Sequence, residues 1–312
     1  MANTFFFPLL FLKPDSEWDE PVDATPFRLA RRLWQTSTFD LATLATRHRL
    51  HLPYQAMDVM LGQCNVELAI QADSLDDAIG WLHSILLGLY IEGVSPTIAP
   101  FATSHGINEY SGINSRDSAL LREEMPEAMR SGVTSDHATV EAWPVQMSFS
   151  CQVLRDRLEI TPAKFMVAAA SAQRWRSIES TCPTLKVVRD AAQAAPLLGS
   201  MDQSLLHLWC ALEALFPKVS TEVSFRLALY IAQLKRSPSP WDVFRRTRDA
   251  YNLRSRVAHG LRSDVTIDEW REAWELLIGS ASAILHRGSL PTEDELLDEL
   301  LTKDTRDEEK AV

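Results

Sequence analysis

The chain has 312 residues, 46% hydrophobic and 23% charged, the balance of a globular protein with room for two domains rather than of a disordered or fibrous one. Its net charge of −11 argues against a binder that works through uniform attraction to a polyanion, but nine acids and three bases crowd the segment from Pro291 onward, while six arginines meet one acid, Asp249, between Arg245 and Arg262. Cys64, Cys151, Cys182 and Cys210 form no C-x-x-C pair, which excludes a zinc ribbon or thioredoxin motif and points to reduced thiols in the cytoplasm.

The opening run Phe5–Leu12 has no basic residue before it, contains Pro8, and is followed by Asp15, Glu17, Asp19 and Glu20, so it reads as a strand through Phe11 and not as a signal peptide. No apolar stretch approaches the roughly 20 residues that span a bilayer, and no membrane association is expected. Pro26 is expected to start a short helix carrying Arg28, Arg31, Arg32 and Trp34. Val66–Ala72 alternates as a half-buried strand does. Ser74 and Asp77 have the spacing of a capping box and predict a helix to about Tyr90, with Leu75, Ala78, Leu82, Ile85 and Leu89 on its broad apolar face.

A strand near Thr97–Phe101, a polar loop through Gly112, a helix from Asp117 to about Met129 and a strand around Val145–Val153 complete an α+β domain over residues 1–155. It contains no glycine-rich phosphate loop, nucleophile elbow or H-E-x-x-H pair. His48 and His51 lack neighbouring ligands in sequence and read as surface residues rather than as a metal pair. With no catalytic constellation of its own, this domain is expected to sense or regulate.

From Thr161, an N-cap followed by Pro162, the pattern is helical to about His286. The predicted helices are 161–180, 184–195, one from Ser200 or Asp202 to Phe216, one over 222–235 that is apolar nearly all round, 241–259, and a sixth opened by the capping box Thr266/Glu269. Residues 160–290 thus form an all-α antiparallel bundle, and 291–312 an acidic tail with a short amphipathic helix around Leu296–Leu301.

The fifth helix is the odd one. At about 100° per residue, Ala250, Tyr251, Val257 and Ala258 all lie within about 60° of Arg254, so a guanidinium projects from the apolar stripe. A buried charge there needs a carboxylate, a wet cleft or an anionic ligand. Gly260 suits the position just past a helix end, which makes His259 the last helical residue.

Three segments carry a family likeness: Leu208–Phe216 with Glu213, Arg226–Ala232, and Tyr251–Gly260 with Arg254, Ser255 and His259. Together they resemble the higher eukaryote and prokaryote nucleotide-binding (HEPN) superfamily, nearest its ApeA-like branch, over residues 160–290. That superfamily's signature is an arginine, four to six residues, then a histidine, usually with a polar residue after the arginine; Arg254, Ser255 and His259 match it with a gap of four.

The resemblance implies an HEPN-like bundle acting as a metal-independent endoribonuclease of toxin–antitoxin or antiviral systems, its cleft formed between two bundles of a homodimer. His259 would be the general acid or base, Arg254 the phosphate holder, Ser255 a polar helper and Glu213 the acid that orients Arg254. RNA is the implied substrate, contacted by Arg245, Arg246, Arg248, Tyr251, Arg256 and Arg262, with a regulatory protein or antitoxin as a further partner. No metal or cofactor is called for, because imidazole and guanidinium together supply a proton shuttle and a fixed cation. The residues leave two other readings open: a catalytically silent RNA- or nucleotide-binding module, and a protein-interaction scaffold in which Arg254 merely ties helices together through Glu213 and His259 bonds the helix's last carbonyls.

Overall fold

Phe5, Phe7 and Leu9 alternate along the first strand and are at most 2% exposed, so the sheet forms around them. The computed structural model describes residues 3–15, 18, 20–47, 62–139, 141–142 and 151–308, without the side chains of 142 and 303–308. The chain divides into two units, 1–169 and 170–312, and the division falls inside helix Pro162–Thr181 rather than at residues 155–160.

In the first unit β1 (Asn3–Leu10) pairs antiparallel with the long strand of the Val66–Ala72 alternation, which runs Cys64–Ala72, with Phe5 opposite Ile70 and Phe7 opposite Leu68. Two further short strands, β2 (Lys13–Pro14) and Glu159–Ile160, form a separate parallel pair. Pro26 starts no helix: Val22–Ala24 is β3, Phe27–Arg31 is β4, and the two are antiparallel around the Thr25–Pro26 turn. The arginine spacing misled, because the segment is a strand, in which Phe27, Leu29 and Ala30 enter the core while Arg28 and Arg31 stay exposed. With Cys64–Ala72 as β5, the sheet order is β3-β4-β5-β1-β6-β7, where β6 is Ala102–Thr103 and β7 is Glu141–Ala142.

The strand expected at Thr97–Phe101 is displaced to β6. Residues 97–98 bond the end of β1, where Leu10 N–H donates to the Ile98 carbonyl and the Thr97 hydroxyl donates to the Leu10 carbonyl, while the Thr97 N–H donates to the Tyr90 hydroxyl, without a ladder forming. The Asp117–Met129 helix is instead three short ones, Ile113–Asp117, Ala119–Glu124 and Glu127–Arg130. Ser118 is extended and accepts the Leu121 N–H, and Pro126 lacks an N–H to continue a helix, so each starts a new turn. Most of the strand expected at Val145–Val153, and His48 with His51, lie outside the described residues.

Helix Leu75–Ile91 begins where Ser74 Oγ accepts the Asp77 N–H, and it packs on β5. At Gly88 a Cβ would lie 2.5 Å from the Ala168 carbonyl oxygen, a backbone atom that cannot step aside. Gly88→Ala is therefore expected to destabilise the first unit by about 2–3 kcal/mol in denaturant unfolding, despite alanine's better helix propensity. An unchanged or raised midpoint would contradict this close approach.

The second unit is helical: Thr184–Ala194, Met201–Ala214, Val223–Lys235, Pro240–Ala258, Ile267–Arg287 and Glu293–Glu308 follow helix Pro162–Thr181. Its core includes Trp175, Trp209, Trp270 and Trp274, all at most 2% exposed, with Trp270 stacked on Trp274 at 5.4 Å and donating its Nε1–H to Ser204 Oγ. Thr266 and Glu269 form the expected capping box in full. Helix Val223–Lys235 is not buried all round, since Phe225 is 51% exposed.

The acidic end is more ordered than expected. Helix Glu293–Glu308 seats Leu296 in the core, and Glu299 takes Arg287 at 2.8 Å and Arg236 at 2.9 Å. Hydrogen bonds from those guanidiniums hold the Glu299 carboxyl down at about 2. Among the described residues no helix is long and apolar enough to cross a membrane.

Candidate functional site

The arginine-rich helix Pro240–Ala258 opens with Pro at its first turn and closes in a Schellman arrangement. Gly260 takes φ +68, its N–H donates to the Val257 carbonyl, and the Leu261 N–H donates to the Arg256 carbonyl. The buried face is Val243, Phe244, Thr247, Ala250, Leu253 and Val257. Beyond Val257 the helix leaves the core, so Ala258, expected on the stripe, is exposed along with His259 and Gly260.

Arg254 stands on that face just before it ends, its side chain 22% exposed. The partner it requires is Glu213, on helix Met201–Ala214: Nη2 lies 2.9 Å from Oε1 and donates to Oε2 at 3.2 Å. The two helices are further stitched by rings. The Arg254 guanidinium carbon is 5.5 Å from the Tyr251 ring centroid, and Tyr251 meets Trp209 edge-on at 5.3 Å. Burial, and then the neighbouring Glu213 charge, raise the Tyr251 phenol above its ordinary value. Arg254 Nε is buried without a hydrogen-bond partner among the described residues.

The predicted site residues are only partly brought together. Glu213, Arg254 and Tyr251 form one cluster, and Ser255 is half-buried beside it in sequence. His259 stands outside: its backbone N–H donates to the Ser255 carbonyl as the helix cap, and among the described residues its imidazole has no hydrogen-bond or ion-pair partner. Trp209, buried on helix Met201–Ala214, is the fourth member. Its signal was the spacing of Trp209 to Glu213 and of Tyr251 to Arg254, each one helical turn.

The arginine patch is less basic than a count along the chain suggests. Arg246 pairs with Glu272 at 2.8 Å and reaches toward Glu275, Arg262 pairs with Glu269 and Asp264, and Arg245 pairs with Asp242. These acids come largely from the following helix, Ile267–Arg287, which the segment count left out. Arg248, over the Phe244 ring at 5.6 Å, and Arg256 have no acidic partner among the described residues. At the start of the same helix Trp241 stacks on Phe244 at 5.3 Å while remaining 67% exposed.

Among the described residues no group of three or more His, Cys, Asp or Glu side chains is arranged to hold a metal ion. No family model, curated protein or solved structure matches the chain.

Proposed function

We propose that the chain is a metal-independent RNA endonuclease of the HEPN kind, with Arg254 and His259 as its working pair. The observation that carries this reading is the anchored Arg254: a cation fixed by Glu213 from a neighbouring helix, partly open to solvent, on the same helix that ends in an exposed, uncommitted imidazole. In the reaction the RNA's 2′-oxygen bonds to the adjacent phosphorus and the P–O5′ bond breaks, leaving a 2′,3′-cyclic phosphate and a 5′-hydroxyl. His259 takes the 2′ proton or supplies one to O5′, Arg254 neutralises the charge gathering on the phosphoryl oxygens, and Ser255 assists. Because among the described residues the His259 imidazole has no hydrogen bond or ion pair to the Arg254 cluster, the proposed site is completed by a second copy of the chain across a two-fold axis. The α+β unit is assigned the regulatory part, alone or with an antitoxin-like partner.

The test is cleavage of single-stranded RNA by the full chain with EDTA present. Cleavage with cyclic-phosphate ends is expected, and His259→Ala should lower it by about 10²–10⁴-fold, the usual worth of a positioned acid or base. Loss of cleavage in EDTA, or an unaffected His259→Ala, would sink the mechanism. One observation favours a second reading, a binding module without catalysis: Glu213 already compensates Arg254, and most of the patch arginines are paired. RNA retarded in a gel but never cut would support it; neither binding nor cleavage would leave the scaffold.

A further inference from the structure

The first unit holds a chemical constellation that its sequence did not disclose. Asn3, Thr4, Ser104, His105, His137 and Thr139 line a cavity of about 400 Å³, with Phe5 as its apolar member. That volume is within the range of small-molecule sites, about 300–1,000 Å³.

The cavity wall is braced from behind. Glu141 is 7% exposed and accepts the Tyr110 hydroxyl at 2.7 Å and the Ser104 hydroxyl at 3.2 Å. Ser104 Oγ also accepts the Thr139 N–H at 3.2 Å. With its own proton given to Glu141, Ser104 meets His105 Nδ1, 3.0 Å away, as an acceptor. In the tautomer that goes with this arrangement the His105 proton is on Nδ1 and Nε2 is an acceptor. At His137 the polarity is reversed: the Thr134 N–H donates to its Nδ1 at 3.4 Å, so the ring carries its proton on Nε2 and is a donor. Burial lowers the His105 pKa, against the opposing pull of Glu109 and with the neighbouring His137 imidazole adding to the lowering.

Two features narrow what such a site takes. Among its described lining residues none is Lys or Arg, and a buried carboxyl stands behind Ser104, so this lining offers an anionic ligand no fixed cation. The backbone N–H groups near the hydroxyl are spent: His105 donates to Tyr110 Oη, Gly106 to Glu109 and Thr139 to Ser104. None of these three can hold an oxyanion, so the Ser104–His105 contact suits recognition rather than acyl transfer.

We propose that this cavity binds a small uncharged heterocycle of the nucleobase type, whose adjacent acceptor and donor meet His137 and His105 while its remaining polar atoms meet the Asn3, Thr4 and Thr139 side chains. The two imidazoles, one giving and one taking a hydrogen bond, are the complement of a cyclic amide edge. The site is independent of the ribonuclease reading, since each of its residues belongs to the first unit.

The experiment is calorimetric titration of the full chain with uracil and with hypoxanthine, alongside ribose and inorganic phosphate. Saturable binding of at least one base is expected, with neither ribose nor phosphate matching it. His137, being exposed, can be replaced without disturbing the core: His137→Leu should weaken binding at least tenfold, while His137→Gln, which keeps a donor near the Nε2 position, should retain most of it. Absence of saturable binding for both bases, equal binding of ribose or phosphate, or unchanged affinity in His137→Leu would each overturn the proposal.

Discussion

On the proposed ribonuclease reading, Arg254→Gln is expected to lower RNA cleavage by about 10²–10³-fold, chiefly in kcat, the cost of removing one fixed charge or donor from a developing oxyanion. Glutamine keeps much of the length and can still bond Glu213, so the loss would report the missing cation and not a collapsed helix pair. A purely structural role has a different signature. A pair 22% and 31% exposed contributes about 1 kcal/mol or less, and removing both charges together should restore most of what either single change costs. Stability measured on Arg254→Gln, Glu213→Gln and the double variant, beside their cleavage rates, separates the cases. If the double variant recovers both stability and cleavage, Arg254 is a tie and nothing more.

Glu141→Gln is expected to stabilise the protein in alkaline solution and leave it nearly unchanged in mild acid. Burial raises the Glu141 pKa from 4.5 to about 7, against hydrogen bonds from Tyr110 and Ser104 and the more distant Arg47. Between those two values the folded chain keeps a proton that the unfolded chain has released, so stability falls as pH rises through this window. The full penalty, roughly 3 kcal/mol, is reached only above the folded value. Glutamine stays neutral and still accepts from Tyr110 and Ser104. Glu67, also raised, chiefly by burial, slopes the same way, so the informative quantity is the difference between variant and wild type at about pH 5 and pH 8.5 in denaturant unfolding. A difference that does not grow with pH would show that Glu141 is ionised at no cost.

Where a feature is set within a few residues of sequence, it was legible. Ser74, Thr161 and Thr266 announced their helices because an N-cap acts on backbone two or three residues away. The alternation of β1 and β5 likewise reports which face is buried. Phe27–Arg31 failed because its arginines have a helical spacing, and only the hairpin with Val22–Ala24 reveals the strand. At the candidate site, the local half was readable: the Arg254 anomaly demanded an acid, and Glu213 supplies it. The remote half was not, since Glu269 and Glu272 neutralise arginines that no count along the helix could pair. Glu141 and Ser104 meet across a separation of 37 residues, and nothing near either announces the other.

The Trp241–Phe244 stack turns the arginine-rich helix into its own optical reporter. Trp175, Trp209, Trp270 and Trp274 are sealed in the interior of the same unit, whereas the Trp241 indole faces solvent at 67% exposure. Of these five, a neutral aqueous quencher will therefore dim Trp241 first. Any occupant that covers the start of this helix will slow that quenching. One seated only at His259, roughly 27 Å further along at 1.5 Å per residue, will leave it unchanged. The quenching difference between the wild type and Trp241→Phe thus tells which end of the helix a bound molecule touches.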